Sequence, residues 1–402
     1  MGWAQSFGNR EFVKPDGTIA LELSKALYGC VQSAKLWQDE ISNTLRADGF
    51  ISNPKDECVF NKIVKGVQIT LTLHVDDFMI TSKSQEAIKS VIAYLSAKYG
   101  TEEQPLVVQE GKVHSFLGMA LDFSKAGQVE ISRPTYLKGL CSDVSGVAET
   151  PAHANLFTIR TTAKPLESEQ SEEFHSVVAK LLYVSKRARP DVATVVAFLT
   201  RRCLAPDEDD WRKLQRCLQY LNGTLDLALT LSCEDGLRIS AFVDASYAVH
   251  DNYRSHTGTM ISLGRGATLT KSSMQKLNTK SSTEAELVAL SDSCGHIIWT
   301  RDYLIGQGYK MGPVRVLQDN QSAMALVKRG YSTSEKTRHV NIRYFFVKDR
   351  VDAGELHIEY LPTEQMVADF FTKPLQGELF RKMRSSVMGH TTIGSVMLLG
   401  SI

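Results

Sequence analysis

Four carboxylates between residues 244 and 369 of this sequence stand where an acid is costly unless something positive meets it. Asp244 closes FVD, Glu286 falls in AEL, Asp319 ends VLQD and Asp369 lies in VADFF, each beside strongly apolar neighbours. Burying an ionised acid carries a desolvation penalty that an adjacent cation offsets. No pattern of buried lysine or arginine accompanies the four, so the set suits two divalent cations. All-oxygen ligation selects hard ions, Mg2+ or Mn2+. Two such ions about 4 Å apart can hold an attacking water and a leaving oxygen for in-line phosphoryl chemistry. Taken singly, Asp244 and Asp319 read more simply as strand-end turns or helix caps, and Glu286 as a solvated helix residue. Only the set points to metal.

A second acidic pair, Asp76 and Asp77, interrupts two apolar runs in TLTLHVDDFMI (70–80). By residue type alone this is a hairpin turn, since Asp tolerates turn conformations; two adjacent carboxylates are also a partial cation site.

The elements that must position these acids follow from periodicity. Residues 21–45 carry helical spacing through Leu27, Leu36, Trp37, Ile41 and Leu45, and GVQITLTLHVDDFMITS alternates with period two, as strands do. Helical spacing resumes over 84–99, and GQVEISR (127–133) reads as a short strand. TPAHANLFTIRTTAKPLESEQSEE (150–173) is loop-like and a candidate linker. APDEDDW opens a helix, with Pro206 suited to its first turn, acids at the positive end of its dipole, and Gly223 as its stop. From 237 onward LRISAFVDAS, TGTMISLG and GATLTKS predict three strands, and the long helix from SSTEAEL follows. Strand VRVLQDN, helix QSAMALVKRG, a basic helical stretch at 334–350, strand LHIEYLP and helix TEQMVADFFTK complete the series. Strands followed by alternating helices and strands predict an α/β mixed sheet with flanking helices.

Composition sets bounds. A chain of 402 residues with 43% hydrophobic and 23% charged residues is ordinary for a globular protein of two or three domains. No run reaches the roughly 20 apolar residues that a bilayer requires, so no membrane partner is expected. Seven cysteines are scattered singly, which argues against a zinc module and suits a reducing, intracellular compartment, cytoplasmic or nuclear. A net charge of +1 leaves nucleic-acid binding to local patches.

The words FVDASYA, TGTMISLG, TKSSTEAELVAL, LQDNQSAMAL, TRHVNIRYFFVKDRV and LHIEYLPTEQMVADFFTKPL closely resemble, in order and spacing, the ribonuclease H domain of copia-type LTR retrotransposon polyproteins. The resemblance implies that Asp244, Glu286, Asp319 and Asp369 bind the two metal ions. It implies hydrolysis of the RNA strand of an RNA–DNA hybrid. Lys336, Arg338 and Arg343 in the basic stretch are then candidate phosphate contacts. Where the family usually has Trp and Tyr, this chain has Lys271 and Leu287, both at what look like packing positions. Cellular relatives carry a loop histidine ahead of the last Asp; LPTEQMVAD has none, and His339 is not assigned that role.

The resemblance extends from about Phe12 to Gly389. HVDD looks like the Tyr-X-Asp-Asp word of a reverse transcriptase palm hairpin, with His74 in place of Tyr. LSKALYGCVQSAKLW resembles the segment ahead of it, with Ala34 where proline is usual. Polymerisation needs a further carboxylate, which the family places on a strand ahead of LYG. None of Asp16, Asp39 and Asp48 matches it, so Asp76 and Asp77 are expected to be an incomplete polymerase site. The expected division is a palm remnant at 1–125, a thumb or connection region at 126–235, a ribonuclease H-like domain at 236–376 and a tail at 377–402. Other parts of a Pol polyprotein are implied partners. The competing expectation is an inactive remnant that at most binds nucleic acid.

Overall fold

The computed structural model describes Asp16, Thr18, Leu27, residues 29–233, 236–329 and 338–391, apart from the side chains of Val31, 338–342 and Tyr344. These fall into two compact units, 1–106 and 107–402, each considered by itself.

The first unit packs two helices, α1 (Val31–Ala47) and α2 (Gln85–Tyr99), on a four-stranded antiparallel sheet of β1 (Ile51–Asn53), β2 (Asp56–Val64), β3 (Val67–His74) and β4 (Asp77–Ser82), ordered as in the chain. Alternation in β3 sends Ile69, Leu71 and Leu73 to one face, where Ile41 and Leu45 of α1 and Val91 and Leu95 of α2 close the core. Ser84 caps α2 by accepting from the Ala87 N–H at 3.2 Å.

The second unit contains two sheets. One is antiparallel, ordered β5 (Val113–Phe116), β6 (Met119–Asp122), β7 (Gln128–Ser132), β8 (Leu229–Ser232). Between β7 and β8 run α3 (Pro134–Leu140), α4 (Ser168–Arg187), a 3-10 turn at Pro190–Val192, α5 (Ala193–Arg202) and α6 (Glu208–Asn222). The α6 helix begins where its acids predict, but Pro206 lies outside the first turn: Asp207 is the cap, paired with Asp210 in a reciprocal capping box.

The other sheet joins β9 (Ser240–Ser246), β10 (His256–Ser262), β11 (Leu269–Met274), β12 (Val314–Gln318) and β13 (Leu356–Tyr360), in the order β11-β10-β9-β12-β13. β9, β10 and β11 are mutually antiparallel, and β12 runs parallel to both β9 and β13. This is the expected α/β mixed sheet. Helices α7 (Ser282–Gly306), α8 (Gln321–Arg329) and α9 (Arg338–Asp352) accompany it, and α10 (Gly377–Val387) closes the described fold.

Period-two alternation gives the sheet two buried faces. Ala241, Val243, Ala245, Ile261 and Val316 pack with Leu287, Leu290, Cys294 and Ile297 of α7. Phe242, Met260 and Leu317 point the other way, into a core shared with Phe174, Phe198, Leu199 and Leu214 from α4, α5 and α6 and with Phe371 and Phe380. The 150–173 stretch is therefore not a linker: Ala152, Leu156 and Phe157 are buried in this same core, and α4 begins at Ser168.

TEQMVADFFTK is not a continuous helix. It forms two 3-10 pieces, Thr363–Gln365 and Val367–Phe371. Every residue from Val367 to Phe371 is buried, so the segment threads the core rather than lying on it with one solvated face. Two of its carbonyls, Phe370 and Phe371, accept from the hydroxyls of Thr194 and Ser272 at 2.7 and 2.8 Å.

The shared core predicts that residues 236–391 expressed alone will not unfold cooperatively, because Phe242, Met260, Leu317 and Phe371 lose their cover. Residues 107–391 should give a single calorimetric transition. A sharp transition from 236–391 would contradict the shared core.

Candidate metal centre and its surroundings

Asp244 lies on β9 on the same face as Phe242, and is 2% exposed. Glu286 lies in the second turn of α7, capped at Ser281, whose hydroxyl accepts from the Glu284 N–H at 3.2 Å. Asp319 follows the last residue of β12, adjacent to β9 in the sheet. One carboxylate oxygen from each of these three residues lies within 4.8 Å of the others. They converge because two parallel neighbouring strands and the helix that follows the β9–β11 meander meet at one end of the sheet.

Asp369 reaches the same neighbourhood from the 3-10 segment, 6% exposed. The position of that segment depends on Gly258, which is paired with Asp244 across the β9–β10 ladder. A Cβ at Gly258 would stand 2.6 Å from the Thr372 methyl and 2.7 Å from the Ala368 carbonyl oxygen. Only glycine lets the segment approach so closely.

Each acid is held by a partner that sequence reasoning missed. Thr372 donates its hydroxyl in a short hydrogen bond to Asp244 Oδ2. Thr363 donates to Asp319 Oδ2 at 2.8 Å. Gln318, fully buried at the end of β12, donates from Nε2 to Glu286 Oε2 at 3.2 Å, while its Oε1 accepts from the N–H groups of Asp319 and Asn320. The one available signal was a polar Gln at the inward end of an apolar strand.

The expectation of no cation among the acids needs correcting. Lys373 Nζ lies 2.7 Å from Asp369 Oδ1 and 4.0 Å from Asp244 Oδ2. The lysine follows Asp369 by four residues, so the fold of the segment, not a distant lysine motif, brings it there. Even so, negative charge remains in excess. Burial first, then the carboxylates of Asp244 and Asp319, raises Glu286 well above the usual carboxylate range. Burial and the Asp244 charge push Asp369 up to about 7 despite the Lys373 ammonium. Asp319 is also raised, by burial and Asp244, against the Thr363 hydrogen bond. Burial alone would depress Lys373, but Asp244 and Asp369 raise it instead.

Of the other site residues, Asp76 and Asp77 sit exposed at the β3–β4 hairpin, where His74 pairs with Asp77 and Val75–Asp76 form the two-residue turn. Val75 adopts φ +56°, unusual for a β-branched residue, and the Trp37 indole donates to its carbonyl at 2.5 Å. Among the described residues no third acidic side chain joins this pair. Arg343 forms a close ion pair with Asp292 of α7. Lys336 and the side chains of Arg338 and His339 lie outside the described residues. Leu287 is fully buried against the sheet, and Lys271, half-buried, donates to the Asp292 carbonyl at 3.1 Å.

Residues 13–153 match the family of reverse transcriptases (RNA-dependent DNA polymerases). Relatives matching most of the chain are retrotransposon Pol polyproteins. The chain is 27% identical over 389 residues to the Pol polyprotein of transposon RE2 from Arabidopsis thaliana, covering 93% of this chain and 25% of that protein. It is 26% identical over 384 residues to that of transposon TNT 1-94 from Nicotiana tabacum, covering 93% and 28%. To a Ty1 Gag-Pol polyprotein of Saccharomyces cerevisiae it is 24% identical over 378 residues, covering 90% and 21%. The chain thus spans about a quarter of the length of these relatives. Among solved structures, RNase H1 from Halobacterium salinarum aligns with 34% of this chain and 91% of its own at 13% identity and a TM-score of 0.23. The sheet order is accordingly read from the chain's own strands.

Two predictions follow from the geometry. Gly258→Ala should cost about 1–3 kcal/mol, because the added methyl must displace backbone as well as side chain; denaturant midpoints measure it, and an unchanged midpoint would refute the close approach. The raised Asp369 value means the folded chain binds that proton more tightly than the unfolded one. Its stability contribution is greatest below about pH 4 and is lost as pH rises through about 7. In metal-free buffer Asp369→Asn should therefore gain on the order of 4 kcal/mol relative to wild type between pH 4 and pH 8; a pH-independent difference would be inconsistent with this.

Proposed function

We propose that the second unit hydrolyses the RNA strand of RNA–DNA hybrids, with Asp244, Glu286, Asp319 and Asp369 holding two Mg2+ or Mn2+ ions. The carrying observation is the convergence of three carboxylates within 4.8 Å, on one sheet end and one helix, with Asp369 raised by the same charge. The donor set fits the group: it is all oxygen, and it holds protons that a dication would displace. When bound, such ions supply Lewis-acid stabilisation of a phosphoryl centre and a more acidic water.

The chain's own residues prepare that site. Thr372 and Thr363 each engage one oxygen of Asp244 and Asp319, fixing the direction of the other. Gln318 orients Glu286 from the strand that carries Asp319. Lys373 pairs with Asp369, and were a divalent ion held by that carboxylate instead, the ammonium would be available to a substrate phosphate. Substrate choice would rest on hybrid shape and 2′-hydroxyls. Lys336, Arg338 and Arg343 are retained as proposed phosphate contacts, and their use would make hybrid binding salt-dependent. The segments 1–125, 126–235, 236–376 and 377–402 are proposed as palm, connection, ribonuclease H-like and tail regions by ancestry. Other Pol parts are proposed partners. Polymerase activity is not proposed for this chain alone, since Asp76 and Asp77 lack a described third acid.

The full chain with a labelled hybrid in Mg2+ or Mn2+ should release RNA fragments, and Asp319→Asn should slow this by about 100-fold or more. Intact RNA with the wild-type chain in both metals would reject the proposal. One observation favours an inert remnant instead: Lys373 already pairs with Asp369 and approaches Asp244. On that reading neither metal raises the melting temperature.

A further inference from the structure

A chain of side chains, none of them an acid, runs from α5 to the segment that carries Asp369. Arg201 Nη1 lies 2.8 Å from His250 Nδ1, and His250 Nε2 lies 2.9 Å from His256 Nδ1. His256 Nε2 is 2.8 Å from Ser272 Oγ, which donates to the Phe371 carbonyl at 2.8 Å. The direction of every link is fixed by its first member. A guanidinium only donates, so His250 accepts at Nδ1 and carries its proton on Nε2. His256 must then accept at Nδ1 and donate from Nε2, and Ser272, accepting from His256, turns its own proton to Phe371. One tautomer at each ring satisfies all four contacts.

We propose that Arg201, His250, His256 and Ser272 form a positioning relay that fixes the Asp369 segment for the carboxylate site, an inference that rests on the hydrolase reading above. The loop between β9 and β10 delivers His250 to this line, with Ala248 and Tyr253 in left-handed conformations and the His250 N–H donating to Arg254 O at 3.2 Å. The Phe157 ring covers both imidazoles, its centroid 4.8 Å from His250 and 5.1 Å from His256, which keeps water from competing for the ring nitrogens. Burial, with the Arg201 charge, depresses His250 to about 4; burial, with His250 and Arg201, holds His256 well below the usual imidazole range, so both rings are neutral as the relay requires. The relay's last bond replaces a helical one: Phe371 O is exposed to a side-chain donor because the segment is 3-10 and ends within the core. Thr194 from α5 treats Phe370 O in the same way. Thus α5, through Arg201 and Thr194, supports the fourth acid from two points.

The test uses the full chain. Nitrogen-15 spectra of histidine-labelled wild type at pH 7 should show His250 and His256 as neutral Nε2–H tautomers; a protonated ring or an Nδ1–H tautomer at either would overturn the relay. Ser272→Ala should speed amide exchange at Asp369, Thr372 and Lys373 about 10-fold with little change in global melting temperature, and Ser272→Thr should restore protection. Unchanged exchange in Ser272→Ala, or no rescue by Thr, would overturn it. With hybrid substrate, Ser272→Ala should lower kcat about 10-fold at unchanged KM and weaken Mn2+ binding measured calorimetrically; wild-type values for both would count against positioning. If the wild type neither cleaves hybrid nor binds Mn2+, the hydrolase reading fails and the positioning role with it. The tautomer and exchange results still distinguish that failure from an absent relay.

Discussion

Three carboxylates held within 4.8 Å of one another, in a largely buried corner of a sheet, repel one another in a medium that screens them poorly. Much of the second unit's construction can be understood as the accommodation of that repulsion. Protons partly relieve it, as the raised Glu286, Asp319 and Asp369 show. Lys373 relieves it at one edge, and hydroxyls of Thr363 and Thr372 and the amide of Gln318 relieve it bond by bond. None of these neutralises the set. A fold stores such an arrangement only where the surrounding packing over-determines it.

That packing comes from two directions. One face of the β9–β13 sheet is covered by α7, which supplies Glu286, so a helix that buries apolar area also places an acid. The other face is covered by a core drawn from residues 137–221 as well as from the closing segments. The Asp369 segment lies in that second core, clamped by Thr194, Ser272 and the empty side of Gly258. Residues 137–221 are therefore structural support for the acidic corner, and the sheet is not an independent module beside them.

Much of this architecture was legible beforehand. The strands around Asp244, Met260 and Leu317 and the long helix carrying Glu286 were legible as apolar runs and spaced apolar points bounded by polar residues, whereas the burial of both sheet faces, one under α7 and one in the shared core, was not. The segment around Asp369 defeated the same reasoning: VADFF is apolar on every side, and an all-buried run gives no face from which to read a period. The 150–173 stretch misled for the converse reason. Its turn-rich composition says nothing of Ala152, Leu156 and Phe157, which are too sparse to form a pattern yet fill a core. Lys373 escaped notice because a lysine four residues from an acid is ordinary in sequence and becomes an internal cation only once both are enclosed.

The sequence by itself determined the identity and order of the acids, the apolar faces of the elements bearing them, and the copia-type ancestry, since these are written in residue type and local spacing. Tertiary structure alone decided that Asp244, Glu286 and Asp319 meet, that a single glycine lets Asp369 approach, and that Gln318, Thr363, Thr372 and the His250–His256 line support them. Convergence of residues up to 125 positions apart depends on strand order and on which helix covers which face, and no local pattern encodes either.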